Sequence, residues 1–257
     1  MVIDGHTAFT GGINLADEYI NARIKHGHWK DTGIGVYGEA AWNFTIMFLS
    51  QWERLCKIKE DYTRYKPKEM PYHNNEGYVL PYADNPLDDE LIGETAYFNA
   101  INKAKHYVYI HTPYLILDNE MLTALCVAAK SGVDVRIITP NIADKWYVHA
   151  VTRSYYTLLT ENGVKIYEYT PGFIHSKMFV VDDELGIVGT INLDYRSLYL
   201  HYECAVWLYK TQSIEALKKD FFDTLQVCKR ITLEDCNNIK WYTKVCYSIL
   251  RVFAPLL

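Results

Sequence analysis

Strand-like and helix-like segments alternate along the chain from residue 78 onward. Short apolar, β-branched or aromatic runs indicate strands, and longer stretches with apolar residues three or four positions apart indicate helices. Strands are predicted at 78–82, 106–111, 133–139 and 164–169, and helices at 118–131 and about 145–159. This alternation predicts an α/β fold in which helices cover both faces of a sheet.

Capping residues predict a further helix directly after the first of these strands. Asn85 suits a cap and Pro86 a first turn, and the acidic residues 88–90 suit the positive end of the helix dipole. Four apolar residues roughly share one face of this helix: Leu87, Leu91, Phe98 and Ile101. The helix is therefore expected to begin near Pro86.

Two more helices are predicted in the last fifty residues. The first covers 214–228, and the second carries an apolar stripe of Trp241, Val245, Ile249 and Phe253 at helical spacing. Core packing is the favoured interpretation of this stripe. Contact with a membrane surface is the alternative.

A charged connector separates the two ends of the chain. Residues 53–75 pass from a helical pattern into a loop with Pro67, Pro71 and the pair Asn74-Asn75. The boundary is placed near Asn75, which predicts a first lobe of residues 1–75 and a second lobe of residues 76–257.

Composition excludes several classes of protein. Hydrophobic residues make up 49% of the chain, enough for a sizeable core, and the net charge of −5 disfavours a nucleic-acid partner. The six cysteines form neither a CxxC pair nor a cluster with histidines, so no metal site is predicted. No apolar run reaches the 18 residues of a membrane span.

An internal repeat links the two ends of the sequence. Asp4, Gly11 and Asn14 match Asp182, Gly189 and Asn192 at one constant offset, which indicates two copies of one unit. A recurring hairpin turn would explain the matching glycines, through positive φ, but not the matching asparagines. At the same offset, the counterparts of His175 and Lys177 would precede Met1. The first copy is therefore expected to be truncated.

His175 and Lys177 are the strongest candidates for chemistry. Residues 174–182 read as a strand, in which these two side chains point to the same side. A tight turn at Gly189-Thr190 could bring the Asn192 amide to the same rim. A cation, a neutral donor and an imidazole together suit a phosphate group, without metal or cofactor.

The segment around these residues resembles the phospholipase D superfamily, whose HxKxxxxD motif is followed by GTxNxDxRS. In this chain the motif reads His175, Lys177, Asp182, Gly189, Thr190, Asn192, Asp194, Arg196 and Ser197. Bacterial cardiolipin synthases are similar over essentially the whole chain. The resemblance implies duplicated lobes around a mixed sheet, here with the first lobe incomplete. Two such motifs would meet across a pseudo-twofold axis.

The resemblance also implies roles for individual residues. One histidine of the pair attacks phosphorus and the other protonates the leaving alcohol, so His175 takes one of these roles, beside Lys177 and Asn192. Asp182 would be a structural partner away from the phosphorus. Glu203, and Asp31 at the matching point of the repeat, would orient histidines, unless both are ordinary strand carboxylates. The supporting residues are expected to be Asn14, Asp31, Gly189, Thr190 and Ser197.

The implied reaction joins two phosphatidylglycerol molecules into cardiolipin and releases glycerol, at the bacterial cell membrane in which the parent protein is anchored. Two alternatives stay open. The site would also suit a hydrolase of phosphodiesters, either a lipase or a nuclease. The chain could instead be a silent fragment that binds phosphate or phospholipid, unless a homodimer restores the second motif.

Overall fold

The computed structural model of the chain describes residues 1–69, 76–87 and 89–256. Within them, eight strands form one mixed sheet. From edge to edge the strands are β13 (Cys228–Ile231), β8 (Lys165–Tyr169), β7 (Asp134–Pro140), β6 (Tyr107–His111), β10 (Met178–Val181), β11 (Leu185–Gly189), β12 (Glu203–Tyr209) and β5 (Tyr78–Asp84). The predicted α/β class is confirmed, and each of the four predicted strands is present.

Strand direction divides this sheet into two regions. β6, β7 and β8 run parallel, whereas β10, β11, β12 and β5 are antiparallel to their neighbours. Every residue of β10 and β11 is buried. These strands are apolar on both sides because helices cover both faces of the sheet.

Two hydrophobic cores lie on opposite faces of the sheet. Along β6, Val108 and Ile110 belong to one core, and Tyr107 and Tyr109 to the other. The first core is covered by α2 (Ile92–Lys103), α3 (Asn119–Lys130), α4 (Trp146–Ser154) and α5 (Tyr156–Glu161), and the second by α1 (Glu39–Cys56) and α6 (Ser213–Leu225). Two further helices follow β13 in the chain, α7 (Leu233–Asn237) and α8 (Trp241–Val252).

A small sheet at the start of the chain repeats part of the large one. It consists of β1 (Val2–Ile3), β2 (Thr7–Gly11) and β4 (Gly33–Tyr37), antiparallel in the same order as β10, β11 and β12. Between β2 and β4, the strand β3 (His28–Lys30) pairs in parallel with β9 (Gly172–Ile174). The first repeat therefore contributes a strand that pairs directly with a strand of the second repeat.

The register shows that the repeat extends to the backbone. Gly11 pairs with Gly33 in the small sheet, as Gly189 pairs with Ala205 in the large one. The hairpin aspartates Asp4 and Asp182 both adopt left-handed conformations, with φ of 50° and 51°. By this register, Asp31 occupies the same place in the first repeat as Glu203 in the second.

The helix predicted from Asn85 and Pro86 begins later than the sequence suggested. It starts at Ile92, where the Asp84 carboxylate accepts a hydrogen bond of 2.8 Å from the backbone N–H of Gly93. The Asn85 side chain instead accepts from Leu87 N–H and closes a turn. The prediction failed because a polar side chain can stabilise a turn as well as a helix cap. Asp88 lies outside the described residues.

Other boundaries shift less. The helix predicted over 145–159 divides into α4 and α5 at Tyr155. The helix predicted at 214–228 ends at Leu225, and Cys228 begins β13. The lobe boundary proposed near Asn75, together with Pro71, lies outside the described residues and stays a prediction.

The prediction of core packing for the C-terminal stripe is wrong. Trp241 is 76% exposed and Ile249 57% exposed, and Val245 and Phe253 are exposed as well. α8 contacts α4 through its other side. Across the three described ranges, no helix combines the length and the apolar character that crossing a bilayer requires.

Candidate active site

His175 and Lys177 lie in a break between two strands. β9 ends at Ile174 and β10 begins at Met178, so the predicted continuous strand is interrupted at residues 175–177. The His175 N–H donates to the Lys30 carbonyl at 2.7 Å, which prolongs the pairing with the first repeat. As predicted, the His175 and Lys177 side chains meet, with the Lys177 Nζ 2.8 Å from the imidazole nitrogens.

A carboxylate from the first repeat holds the imidazole. His175 Nδ1 lies 2.9 Å from Asp31 Oδ2, and both side chains are largely buried. The other Asp31 oxygen accepts from the Thr32 N–H at 2.9 Å, which fixes the carboxylate. A carboxylate can only accept, so the proton is assigned to Nδ1. The lone pair of His175 is then on Nε2, the atom that can attack phosphorus or take up a proton.

Burial sets the charge state of this pair. Lys177 is 3% exposed, and desolvation lowers the pKa of its ammonium to about 7, although Asp31 and Glu203 oppose this effect. Desolvation also lowers the pKa of His175, although the hydrogen bond that His175 donates to Asp31 opposes this effect. The adjacent ammonium disfavours a second positive charge, so near pH 7 a neutral imidazole stands beside a lysine that is only partly protonated.

Removing the Asp31 charge is expected to lower the pKa of His175 further, because the carboxylate stabilises the imidazolium. Asp31→Asn tests this in the chain itself, with the His175 pKa followed by NMR titration of its ring signals. Asp17→Asn, an exposed change in the same segment, is the matched control. An unchanged His175 pKa in Asp31→Asn would show that the carboxylate does not hold the ring.

A second polar cluster surrounds Glu203. The Thr190 hydroxyl donates to the Glu203 carboxylate, and Asn192 Nδ2 donates to the Ser197 hydroxyl at 2.8 Å. The Ser197 N–H donates to Asp194 at 2.7 Å. Burial raises the pKa of Glu203 and of Asp194. Four of the predicted site residues are therefore together, and Asn192 Oδ1 is buried without a partner among the described residues.

The backbone at Gly189 and Thr190 differs from the tight turn that was expected. β11 continues to Gly189, and the Thr190 N–H donates to the Cys204 carbonyl at 2.9 Å before the chain leaves the sheet. The actual hairpin turn follows Val181. Gly189 is needed for close approach, not for positive φ, because a Cβ there would lie 2.4 Å from the Cβ of Ala205.

Glu203 and Asn14 do not contact His175. Glu203 faces His201 across 3.7 Å, and the ring nitrogen that it was expected to orient is held by Asp31. Asn14 is exposed and donates to the Tyr19 hydroxyl at 2.9 Å. Tyr19 in turn meets the His175 ring edge-on, with centroids 5.2 Å apart. Asn14 is thus one side chain away from the histidine.

Asp182 has the structural position that the resemblance implied. Its carboxylate accepts from the backbone N–H groups of Lys105, His106 and Tyr107, at 2.6, 3.0 and 2.8 Å. These bonds fix the start of β6 against the turn after β10. They lie at the opposite end of β10 from Lys177.

Asp182→Ala is expected to lower the free energy of unfolding by about 2–4 kcal/mol, because three N–H groups lose a charged acceptor and φ is left-handed. Asp182→Asn, which keeps an acceptor and tolerates this φ, should cost about half as much. Urea unfolding measures both. Glu184→Ala, at a side chain 57% exposed, should stay within about 0.5 kcal/mol of the parent chain. Equal losses in Asp182→Ala and Glu184→Ala would contradict this role.

Sequence reasoning missed several residues around His175. Gly12 is one, because a Cβ there would lie 2.2 Å from Asp31 Oδ1 and 2.7 Å from the His175 carbonyl oxygen. Trp29 and Phe173 are others, with ring centroids 5.2 and 6.1 Å from the imidazole. Gly12 could have been found, since it directly follows the repeated Gly11. The aromatic residues carried no signal in their spacing.

The arrangement can bind and transfer a phosphoryl group without a metal. It offers a buried cation, an imidazole of fixed orientation and a nearby amide, which suit the oxygens and the phosphorus of a phosphodiester. Nowhere in residues 1–69, 76–87 and 89–256 do three or more His, Cys, Asp or Glu side chains group in a way that could hold a metal ion.

This fold is that of the phospholipase D-like proteins. Phosphatidylserine synthase of Haemophilus influenzae superposes with a TM-score of 0.72 at 14% identity, over 100% of this chain and 70% of that one. Nuc of Salmonella typhimurium, a phospholipase D family member, has a TM-score of 0.52 at 19% identity, over 61% of this chain and 99% of its own. At these identities the likeness concerns the fold alone.

Sequence comparison defines the family. The sequence model described as "Cardiolipin synthase, PLD-like domain" matches residues 97–225, and the chain belongs to this family. It is 39% identical to a cardiolipin synthase of Halalkalibacterium halodurans, over 100% of this chain and 51% of that protein. An uncharacterised protein of Streptococcus mutans is 48% identical, over 100% of this chain and 56% of its own length. The chain thus spans about half the length of the curated relatives it matches.

Proposed function

We propose that this chain carries one half of the active site of a phosphatidyltransferase that makes cardiolipin from two molecules of phosphatidylglycerol. The observation that carries the proposal is the Asp31–His175–Lys177 arrangement, an oriented imidazole beside a buried cation. Membership of the cardiolipin synthase family selects phosphatidylglycerol, a lipid of the bacterial cell membrane, as the substrate. No cofactor is required.

The reaction takes place in two displacements at phosphorus. One histidine forms a bond from Nε2 to the phosphorus of the first phosphatidylglycerol, and the glycerol headgroup leaves with a proton from a second histidine. A headgroup hydroxyl of the second phosphatidylglycerol then attacks phosphorus. This hydroxyl gives its proton to the second histidine, and the bond between phosphorus and the first histidine breaks. The Lys177 ammonium and the Asn192 amide would stabilise the phosphoryl oxygens throughout.

The exchange of carboxylates between repeats supports a two-histidine site. Asp31 belongs to the first repeat and holds the histidine of the second. Glu203 is its counterpart by register, so it would hold the histidine of the first repeat. The sequence has one complete HxKxxxxD motif. The second histidine and lysine would therefore come from outside residues 1–257, through a longer polypeptide or through a second copy of the chain.

A complementation experiment tests this proposal. The chain alone, and the chain joined to the remaining part of the Streptococcus mutans relative, are assayed with phosphatidylglycerol in detergent micelles. Cardiolipin and glycerol are expected in equal amounts from the joined protein, with negligible turnover by the monomeric chain. Phosphatidic acid instead of cardiolipin would identify a hydrolase. Robust turnover by a monomer of residues 1–257, established by light scattering, would contradict the half-site.

A further inference from the structure

The outer face of α8 is apolar, although nothing among the described residues covers it. The residues that α8 turns toward the protein include Leu250, which packs on the core, and the buried Ala254 follows directly after the helix. Viewed down the axis at 100° per residue, Leu250 lies about 130° or more from the centre of the apolar stripe. That stripe consists of Trp241, Val245, Ile249 and Val252, all of them exposed. The stripe and the packing side therefore occupy opposite sides of the helix.

The charged residues within this C-terminal segment are of one sign. Residues 236–257 contain Lys240, Lys244 and Arg251 but no aspartate or glutamate, in a chain whose net charge is −5. Lys240, the N-cap of α8, and Lys244, about 95° from the centre of the stripe, are both exposed, and the Lys240 Nζ lies 5.7 Å from the centroid of the Tyr242 ring. The Arg251 guanidinium stacks on the Tyr155 ring at 4.2 Å. A helix with an apolar outer face and lysines along its side fits the boundary between the headgroups and acyl chains of an anionic bilayer.

The end of α8 lies beside the candidate active site. Arg196 donates to the Leu256 carbonyl at 3.3 Å, which ties the C-terminal segment to the loop that carries Asn192 and Ser197. Three further apolar side chains are exposed, Phe253 and Leu256 after the end of the helix and Leu200 shortly after Ser197. A bilayer bound along α8 would therefore lie next to the loop that presents the site.

The outer face of α8 is also directed away from the first repeat. α8 packs on the core covered by α2 to α5, whereas α1 packs on the opposite face of the large sheet, next to the small sheet of β1, β2 and β4. A structural partner that completes the first repeat would add beside α1 and β1, because β1 is the counterpart of β10 and the open edge of the small sheet. The stripe on α8 stays accessible in that arrangement.

We infer that the stripe of Trp241, Val245, Ile249 and Val252, flanked by Lys240 and Lys244, is a docking surface for an anionic phospholipid bilayer. It holds the loop with Asn192 at the level of the lipid headgroups. The inference adds a binding surface to the proposed function. Because vesicle binding is measured without turnover, its failure and a failure of the transferase proposal are distinguishable.

Vesicle flotation with the full chain tests the inference. Vesicles of phosphatidylcholine with 40% phosphatidylglycerol are the probe, and vesicles of phosphatidylcholine alone are the reference. The triple variant Val245→Ser, Ile249→Ser, Val252→Ser should lower the partition coefficient at least tenfold. Lys240→Gln with Lys244→Gln should lower it several-fold on anionic vesicles only, and 0.5 M salt should have the same effect on the parent chain.

A matched control separates this surface from general stickiness. Leu55→Ser with Ile58→Ser removes exposed apolar side chains at the end of α1 and should bind vesicles like the parent chain. Brominated lipids should quench the fluorescence of Trp241. This fluorescence is obtained as the difference between the parent chain and Trp241→Phe. Undiminished binding of the triple variant would overturn the inference. So would a change from dimer to monomer in that variant without loss of vesicle binding, which would assign the stripe to a second copy.

Discussion

Replacing His175 with alanine in the joined, active protein is expected to abolish cardiolipin formation, by about four orders of magnitude or more. The variant removes Nε2, which in the proposed mechanism is either the nucleophile or the proton carrier, and loss of such a group has effects on this scale. Cardiolipin release from radiolabelled phosphatidylglycerol measures the rate. A burst of labelled protein in the parent, with the label located on a peptide that contains His175, would identify His175 as the covalent nucleophile.

His106→Ala is the matched control for this experiment. The His106 side chain is exposed, and its hydrogen bonds are made by the backbone, whose N–H donates to Asp182 and whose carbonyl accepts from the Asp134 N–H at 2.9 Å. The control should therefore retain the parent rate within a factor of about two. Substantial cardiolipin formation by His175→Ala, measured beside an active preparation of His106→Ala, would exclude the proposed mechanism.

Lys177→Met is expected to inactivate the enzyme and stabilise its fold. The variant loses the cation that would face the phosphoryl oxygens in the proposed mechanism, so turnover should fall by about 10²–10³-fold with a smaller change in KM. It also removes a charged group that is 3% exposed. Methionine has a similar length and no charge to desolvate, so the folded state should gain on the order of 1–3 kcal/mol at pH 7.

The pH dependence gives this second prediction its sign. The Lys177 pKa of about 7 in the folded chain is below the usual lysine value of 10.5, so the unfolded chain binds the proton more tightly between those two pH values. The contribution of Lys177 to the free energy of unfolding of the parent chain should therefore become more favourable from pH 7 toward pH 10. The advantage of Lys177→Met should be largest below pH 7 and shrink above it. Urea unfolding of the chain alone, with the exposed Lys219→Met as control, measures the difference.

The motif and the repeat carried most of the information in the sequence. Because the spacing of His175 and Lys177 has the period of a strand, their side chains could be placed together without a structure. The repeat, through Asp4 and Asp182, likewise predicted a recurring unit that the register of the two sheets reproduces. These features are local or periodic, which is why they could be read from one sequence.

Contacts between distant segments could not be predicted in the same way. Asp31 and Glu203 are equivalent in the repeat, and only the parallel pairing of β3 with β9 decides that Asp31 reaches His175. The apolar stripe of α8 has a spacing that suits both a core and a surface, so the pattern could not decide its burial. Tertiary packing settled both questions.

The bond between Asp31 and His175 joins side chains 144 positions apart in the chain. It makes the reactive ring depend on a segment that belongs to the other copy of the duplicated unit. In a nascent chain that has folded only one copy, the imidazole ring would rotate freely and neither of its tautomers would be fixed. The orientation of the imidazole therefore requires that both copies are folded, so the crossed pairing links the geometry of the site to the completion of the fold.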